Sequence, residues 1–405
     1  MIEPAKPTLL VIASTYPRWR NDPEPGFVHE LSRRLTESFD VIALVPDAPG
    51  ADPSGKLDGV DVVRYRYAPR PLQTLVNNGG ITTNLQRAAW KWLLVPGFVG
   101  AQYFAAWRLL KRRRIDVIHA HWLLPQGLIA RGLSRRAHVP YVVTSHGGDL
   151  FGLRGRLLAR LKRKVAASAA AMTVVSSAMH EEARRIGLHS PVLQVLPMGV
   201  DLRGRFVVDP TVPRDDDTLL FVGRLVPKKG LRHLLDAMPA VLERRPRAVL
   251  ELAGFGPEEH ALRAQAQRLG IADSIRFLGA MPQHELPALY RRASLFVAPF
   301  VRDNSGNQEG LPVVLMEAIG CGCPVVVGDV AGVQDLLGDA GSDLCVRSED
   351  TAALASAIID ALENPSQARA RTAAIRANAS ELIDWERIAE GYAALIGSCI
   401  PVHGG

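Results

Sequence analysis

Short apolar runs bounded by turn residues recur along the chain. In the first half they fall at residues 8–13 (TLLVIA), 41–45 (VIALV), 60–66, 117–121 (VIHAH), 141–145 (YVVTS), 171–175 and 192–196. In the second half they fall at 218–222, 248–252, 275–278, 294–298 and 324–328. Runs this short, apolar on both faces, predict buried parallel strands. Helical spacing follows each run in the second half, and Phe27, Leu31 and Leu35 form one stripe of a helix predicted over 27–37. Alternation of this kind predicts doubly wound parallel sheets. A linker, PMGVDLRGRF (197–206), separates two halves, which would leave a cleft for an extended ligand. A last amphipathic helix is predicted over 382–396, with Trp385, Ile388, Tyr392 and Leu395 on one face.

Length and composition agree with two domains. The chain has 405 residues, 47% of them hydrophobic, enough for two cores of ordinary size. The start, MIEPAKPTLLVIAS, has no basic segment before its apolar run, and Pro4 and Pro7 interrupt it, so a first strand is expected rather than a secretion signal. Cys321, Cys323, Cys345 and Cys399 form neither a disulfide framework nor a zinc pattern. Buried thiols in a cytoplasmic protein are expected.

Charge divides the halves. Residues 1–200 hold 27 basic and 14 acidic side chains, while 201–405 hold 21 and 27. A basic first half implies an anionic partner. Within it, Trp90, Trp92, Phe98, Tyr103, Phe104 and Trp107 lie among Leu and Val, and KRRR (111–114) follows. The apolar run 92–107 falls short of the roughly 20 residues of a bilayer crossing. It suits either an interfacial element on an anionic membrane or helices packed on the domain with a solvated basic end. The basic helix RGRLLARLKRKVAAS (154–168) leaves the same two readings. No nucleic-acid recognition motif is present, so no nucleic-acid partner is expected.

The chemistry concentrates at strand ends. The segment 299–324, PFVRDNSGNQEGLPVVLMEAIGCGCP, follows a strand. Glu309 is expected to open a helix that carries Glu317 on the same face two turns on. Such a segment could hold a phosphate at the helix start and sugar hydroxyls on the polar loop. The spacing equally suits an ordinary amphipathic helix. FVGRLVPKKG (221–230) places Arg224, Lys228 and Lys229 after a strand, where they could clamp a diphosphate. LAGFGPEEH (252–260), with Gly254, is a second turn that could admit a nucleoside. In the first half, Pro17, Pro23, Pro25 and Gly26 force a loop after the first strand, at the ligand edge of an open sheet. His119, His121 and His146 cluster at strand ends, and Asp149 closes a His-Gly-Gly-Asp run.

Taken together, these motifs resemble a retaining glycosyltransferase of the GT-B fold, family four in the usual sequence classification, over nearly the whole chain. The resemblance rests on VIHAHWLLPQG, the His-Gly-Gly-Asp run, VVSSAMHEEA, PMGVD, VGRLVPKKG, EGLPVVLMEAIGCGCPVV and the Trp385 helix. It implies an α/β chain of two doubly wound Rossmann-like domains facing across a cleft. An acceptor-binding domain would span 1–200, with a helix 385–400 crossing back to it, and a nucleotide-sugar domain 201–384. Catalytic roles are implied for Glu309, Arg224, Lys229 and His146. Donor contacts are implied for Gly26, Asn307, Gln308, Gly310, Leu311, Glu317 and Gly254, and His121 and Asp149 are acceptor-side candidates. The expected donor is a UDP- or GDP-linked sugar rather than an ADP-linked one, with no other cofactor and no metal. The expected acceptor is a glycan or lipid-linked glycan, met in the cytoplasm or at the inner face of the membrane. Met198 replaces an Asn frequent in relatives, and Ala331-Gly332-Val333-Gln334 also departs from the family pattern. An epimerase or phosphorylase of the same fold, or a binder of anionic polymers, are the competing readings; the last leaves the Glu pair and the cations unexplained.

Overall fold

A computed structural model describes residues 6–22, 24, 26–76, 80–304 and 306–401. Pro4, read above as interrupting the first apolar run, and Pro23 and Pro25, read as part of the loop after it, lie outside the described residues. The chain forms two compact units. One runs to Pro197 and resumes at Glu386; the other is Met198–Trp385.

In the first unit the elements are β1 (Thr8–Ile12), α1 (Phe27–Leu35), β2 (Asp40–Pro46), β3 (Ser54–Leu57), β4 (Val60–Tyr65), α2 (Gly80–Arg87), α3 (Leu94–Arg112), β5 (Val117–His121), α4 (Leu128–Ala137), β6 (Tyr141–Ser145), α5 (Arg156–Ser168), β7 (Ala171–Val174), α6 (Ser177–Arg185) and β8 (Leu193–Val195). The strand order is β3-β4-β2-β1-β5-β6-β7-β8. Every pair is parallel except β3 with β4. Order reverses at β1, between β2 and β5, which opens the ligand crevice of such sheets at the exits of β1 and β5. The central strands are buried along their whole length, which is why they read as unbroken apolar runs. Strand β3 (SGKL) had no such signal, being an exposed edge strand held only by β4.

In the second unit follow β9 (Thr218–Val222), α7 (Leu231–Arg244), β10 (Val249–Ala253), α8 (Glu259–Arg268), β11 (Ile275–Gly279), α9 (Leu286–Arg292), β12 (Leu295–Ala298), α10 (Val313–Gly320), β13 (Val325–Gly328), α11 (Val333–Leu337), β14 (Cys345–Val346), α12 (Thr351–Glu363) and α13 (Pro365–Ile383). The order is β11-β10-β9-β12-β13-β14, all parallel. Here the reversal lies between β9 and β12. Leu219 and Phe221 of β9 and Leu250 and Leu252 of β10 form the core with Leu231, Leu234 and Met238 of α7, Leu262 of α8 and Ile358 of α12.

Two helix expectations need correction. The helix expected over 382–396 is two helices. Asp384 leaves helical geometry (ψ 124°), ends α13, and α14 (Trp385–Ser398) starts anew. The break is held in place. Val200 donates its N–H to Ile383 O at 2.8 Å, and Arg203 pairs with Asp384 at 3.1 Å. The apolar run 92–107 also belongs to a longer helical stretch, Ala89–Arg112, whose length and composition would suffice to cross a membrane. Its inward stripe is nonetheless fixed to the first unit: Leu94, Phe98, Gln102 and Ala106 are buried, and Gln102 donates to Ala13 O at 3.1 Å.

From Glu386 on, helix α14 belongs to the first unit. Tyr392 is fully buried, donates to Leu196 O at 2.9 Å, and packs with its ring centroid 5.6 Å from that of His119 at a 35° tilt. Truncating such a ring typically costs roughly 3–5 kcal/mol. In Tyr392→Ala, hydrogen-exchange protection of β7 and β8 is therefore expected to fall sharply while that of β9 and β12 holds. Equal loss in both units would show that α14 does not belong to the first unit alone.

Candidate active site

The exits of β9 and β12 flank the reversal in the second sheet, and the side chains singled out above gather there. Backbone packing brings them together. Gly223 (φ +149°) follows β9, and its N–H bonds Ala253 O at 2.9 Å. A Cβ on Gly254 would lie 1.8 Å from Gly223 O, so the two exit turns interlock backbone to backbone. This contact is what demands glycine at 254. Packing alone therefore accounts for the glycine at 254.

The chain then makes a tight turn, Pro227–Lys229, ended by Gly230 at φ +69°. A Cβ at 230 would sit 1.7 Å from Pro299 O. Only glycine permits both that φ and that approach. The turn is thereby laid on the exit of β12, where Val301 donates to Lys228 O at 3.0 Å. As a result, Lys228 Nζ and Lys229 Nζ reach Glu309 Oε1 at 3.0 and 3.3 Å. Lys229 also sits over Phe300, 4.7 Å from the ring centroid.

Burial would raise the Glu309 carboxyl, but Lys228, Lys229 and Arg224 outweigh it and hold the group well below the usual range. Burial pulls Lys229 down, opposed by Glu309. Three cations act on one carboxylate. Two positive charges are thus left for an anion at the carboxyl edge of a parallel sheet.

Glu309 does not open a helix. Residues 309–312 are irregular, and Pro312 is the N-cap of α10, with ψ 112°. The residue before a proline avoids helical geometry, so Leu311 cannot continue a helix into Pro312. Gly310 and Leu311 are buried just ahead of the helix, on the segment between Glu309 and the cap. Asn307 and Gln308 follow a turn in which Asp303 Oδ1 accepts from the Asn307 N–H at 3.0 Å. Asn307 Oδ1 is buried with no hydrogen-bond partner among the described residues.

Glu317, inside α10, is in a different environment. It is buried and accepts from Tyr290 Oη at 3.0 Å. Burial pushes its carboxyl up to about 7, against hydrogen bonds from Tyr290 and Gln283. Tyr290 and Gln283 were not anticipated. Nothing local marks them, since their contact with Glu317 is made only once α9 and the segment before it pack on α10.

In the first unit, β5 ends at His121 and His146 follows β6. His121 Nδ1 and His146 Nε2 lie 2.9 Å apart with ring planes 10° apart. Burial pushes His146 down to about 3 and His121 down as well, so both rings are neutral. His121 Nε2 is buried without a partner among the described residues. An orphaned acceptor costs less than an orphaned N–H. The favoured arrangement therefore has His121 donating from Nδ1, which leaves His146 with an N–H at Nδ1.

His121 and Asp149 do not fit the acceptor-side role assigned to them. His121 is fully buried. The Asp149 carboxylate accepts from Leu123 N (2.7 Å), Ser145 Oγ (2.9 Å) and His146 N (3.2 Å), so it fastens the exits of β5 and β6 rather than awaiting a ligand. His119 is equally enclosed, 2.7 Å from Thr144 Oγ1. His146 alone of the four is partly exposed, against Phe27 and Trp122. Gly26 begins α1 with φ −94°, a geometry open to any residue.

Residues 206–379 match the family model described as glycosyl transferases group 1, and residues 27–199 match the glycosyl transferase 4-like domain. The chain is 34% identical over 302 residues to a D-inositol 3-phosphate glycosyltransferase of Frankia alni, covering 68% of this chain and 72% of that one. The chain belongs to the glycosyl transferases group 1 family. It is 31% identical over 289 residues to a GDP-mannose-dependent alpha-(1-6)-phosphatidylinositol monomannoside mannosyltransferase of Mycolicibacterium smegmatis, covering 69% and 75% of the two chains. Among solved structures, a sucrose-phosphate synthase from Thermosynechococcus elongatus superposes with a TM-score of 0.77 at 21% identity, covering 97% of this chain and 99% of that one. Anabaena HepE in complex with UDP and glucose superposes with a TM-score of 0.70 at 17% identity, covering 96% and 99%. The fold of this glycosyltransferase is GT-B.

Glu317 makes a pH prediction for the ligand-free enzyme. Its carboxyl is raised from 4.5 to about 7, so folding favours the protonated form. Its contribution is complete below the ordinary value and is lost as pH rises through about 7. Glu317→Gln should match the parent in acid melts and exceed it above neutrality by up to roughly 3 kcal/mol. A difference that does not change with pH would mean that the carboxylate is already ionised in the fold.

Proposed function

We propose that this glycosyltransferase moves a hexose from a UDP- or GDP-linked donor to a glycan or lipid-linked glycan, with retention at the anomeric carbon and without a metal or other cofactor. Cell-surface polysaccharide or glycolipid synthesis is the setting, in the cytoplasm, where four free cysteines suit a reducing compartment. The observation that carries the reading is the convergence of Lys228, Lys229 and Arg224 on Glu309 at the reversal of the second sheet. Relatives named for GDP-mannose and a structural neighbour crystallised with UDP support the donor class.

Transfer breaks the bond between sugar and distal phosphate. Negative charge grows on the diphosphate as the sugar becomes oxocarbenium-like. Arg224 and Lys229 stabilise that charge from fixed positions, together with the N–H groups of Gly310 and Leu311. Such preorganised groups are each worth roughly 3 kcal/mol of barrier. Two positive charges beyond those matched by Glu309 supply what a divalent cation would otherwise give. Glu309 takes donor-sugar hydroxyls along with Asn307 and Gln308, and Glu317 takes the ribose. The His146 N–H is the group that the first unit offers to a sugar. With no covalent nucleophile assigned, the leaving phosphate accepts the acceptor's proton on the same face.

The test is thermal stability against a panel of nucleoside diphosphates and nucleotide sugars, with and without EDTA. A ligand at about 100 times its dissociation constant adds roughly 2.7 kcal/mol. Stabilisation by UDP or GDP is expected, unchanged by EDTA and lost in Lys229→Met. Glu309→Gln removes the carboxylate that competes for the lysines, so it should bind the free diphosphate at least as tightly while turnover drops about 10²-fold or more. Activity abolished by chelator and restored by Mn²⁺ would overturn the metal-free reading. A Glu309→Gln variant that loses diphosphate binding would overturn the charge argument.

A further inference from the structure

We infer that the outward face of α3 and the turn before it form a docking surface for an anionic lipid bilayer. The inward stripe of α3 (Leu94, Phe98, Gln102, Ala106) is spent on the first unit. The opposite stripe runs Leu93, Pro96, Gly100, Phe104, Arg108, Lys111, at the three- and four-residue spacing of a single helix face. Its first half is apolar and open to solvent. Leu93 is 81% exposed and Phe104 62%, and the turn Ala89–Leu93 adds Trp92 at 59% and Trp90 at 48%. Its second half is cationic, and neither Arg108 nor Lys111 enters an ion pair among the described residues.

Charge decides which occupant this face suits. From residue 62 to residue 115 the chain has ten Lys and Arg and not one Asp or Glu. A second copy would bring the same cationic face against itself. An anionic bilayer answers both halves of the stripe, with tryptophans at the headgroup level, Leu93 and Phe104 in the acyl boundary and the basic end on lipid phosphates. The helix lies on the bilayer rather than across it. Insertion would strip the inward stripe from the sheet and orphan Gln102, whose amide is satisfied by Ala13 O and lies 3.4 Å from Gln126.

The inference does not rest on the transferase reading. Binding is measured on the full chain with no donor or acceptor present, so either can fail alone. The purified protein is floated with phosphatidylcholine vesicles and with vesicles that also contain phosphatidylglycerol. Binding to the anionic vesicles only, weakening as salt rises, is expected. Arg108→Gln and Lys111→Gln should each weaken it about fivefold. Leu93→Ser with Phe104→Ser should abolish it with no change in melting temperature, since both side chains are exposed. Equal binding to neutral and anionic vesicles, no binding, or variants that bind like the parent would each overturn the proposal. So would a dimer in solution that the Leu93/Phe104 variant dissociates, because a second copy would then cover the face.

Discussion

Burying two lysine side chains beside one glutamate is costly unless the geometry holds all three in register. In the second unit that register comes from the main chain. Gly230 lets the Pro227–Lys229 turn touch Pro299, and Val301 ties the turn down through Lys228 O. A side chain at 230 would force the turn off the β12 exit and separate the lysines from Glu309. The interlock of Gly223 with Gly254 does the same on the β10 side. The charge cluster therefore stands on backbone contacts that no side chain can replace, and these contacts lie where the strand order reverses. Position in the topology and strength of the local field come from the same few glycines.

The two acids of the 299–324 segment show how packing divides labour between like groups. Glu309 is held ionised by cations, while Glu317, eight positions on, is pushed towards neutrality by burial and meets a tyrosine instead. Their sequence spacing suggested one shared face. Pro312 breaks that equivalence by capping α10 after Glu309, so the first acid is free to turn to the lysines while the second meets Tyr290.

Strands were legible because parallel strands covered on both faces need continuous apolar runs, and each central strand showed one. The cations of FVGRLVPKKG were legible too, as they follow such a run directly. Three features were not. The edge strand β3 carries no apolar pattern, since no layer covers it. The α13–α14 break leaves an amphipathic pattern intact on both sides, so the hydrogen bond from Val200 that fixes it has no local trace. Among the histidines, alternation puts His119 and His121 on one face of β5, but only the packing of α14 and the β6 exit shows that both are enclosed and that His146 is the one left partly open. Asp149 looked like a ligand group for the same reason. A carboxylate at a strand end is ambiguous until its donors are counted, and here Leu123, Ser145 and His146 fill it.

The two sheets use one topology to opposite electrostatic ends. At the exits of β5 and β6, burial keeps three histidines neutral and Asp149 is spent on the backbone, so that edge presents hydrogen-bonding groups with little charge. At the exits of β9 and β12, cations outnumber the one carboxylate. This local sign runs against the overall balance of each half, since the first is strongly basic and the second acidic. The excess basic charge of the first half must therefore lie away from its sheet edge. Much of it lies on the acid-free stretch that carries α3. Net charge per domain indicates the partner of an outer surface, whereas the few groups at the strand exits set the chemistry of the site.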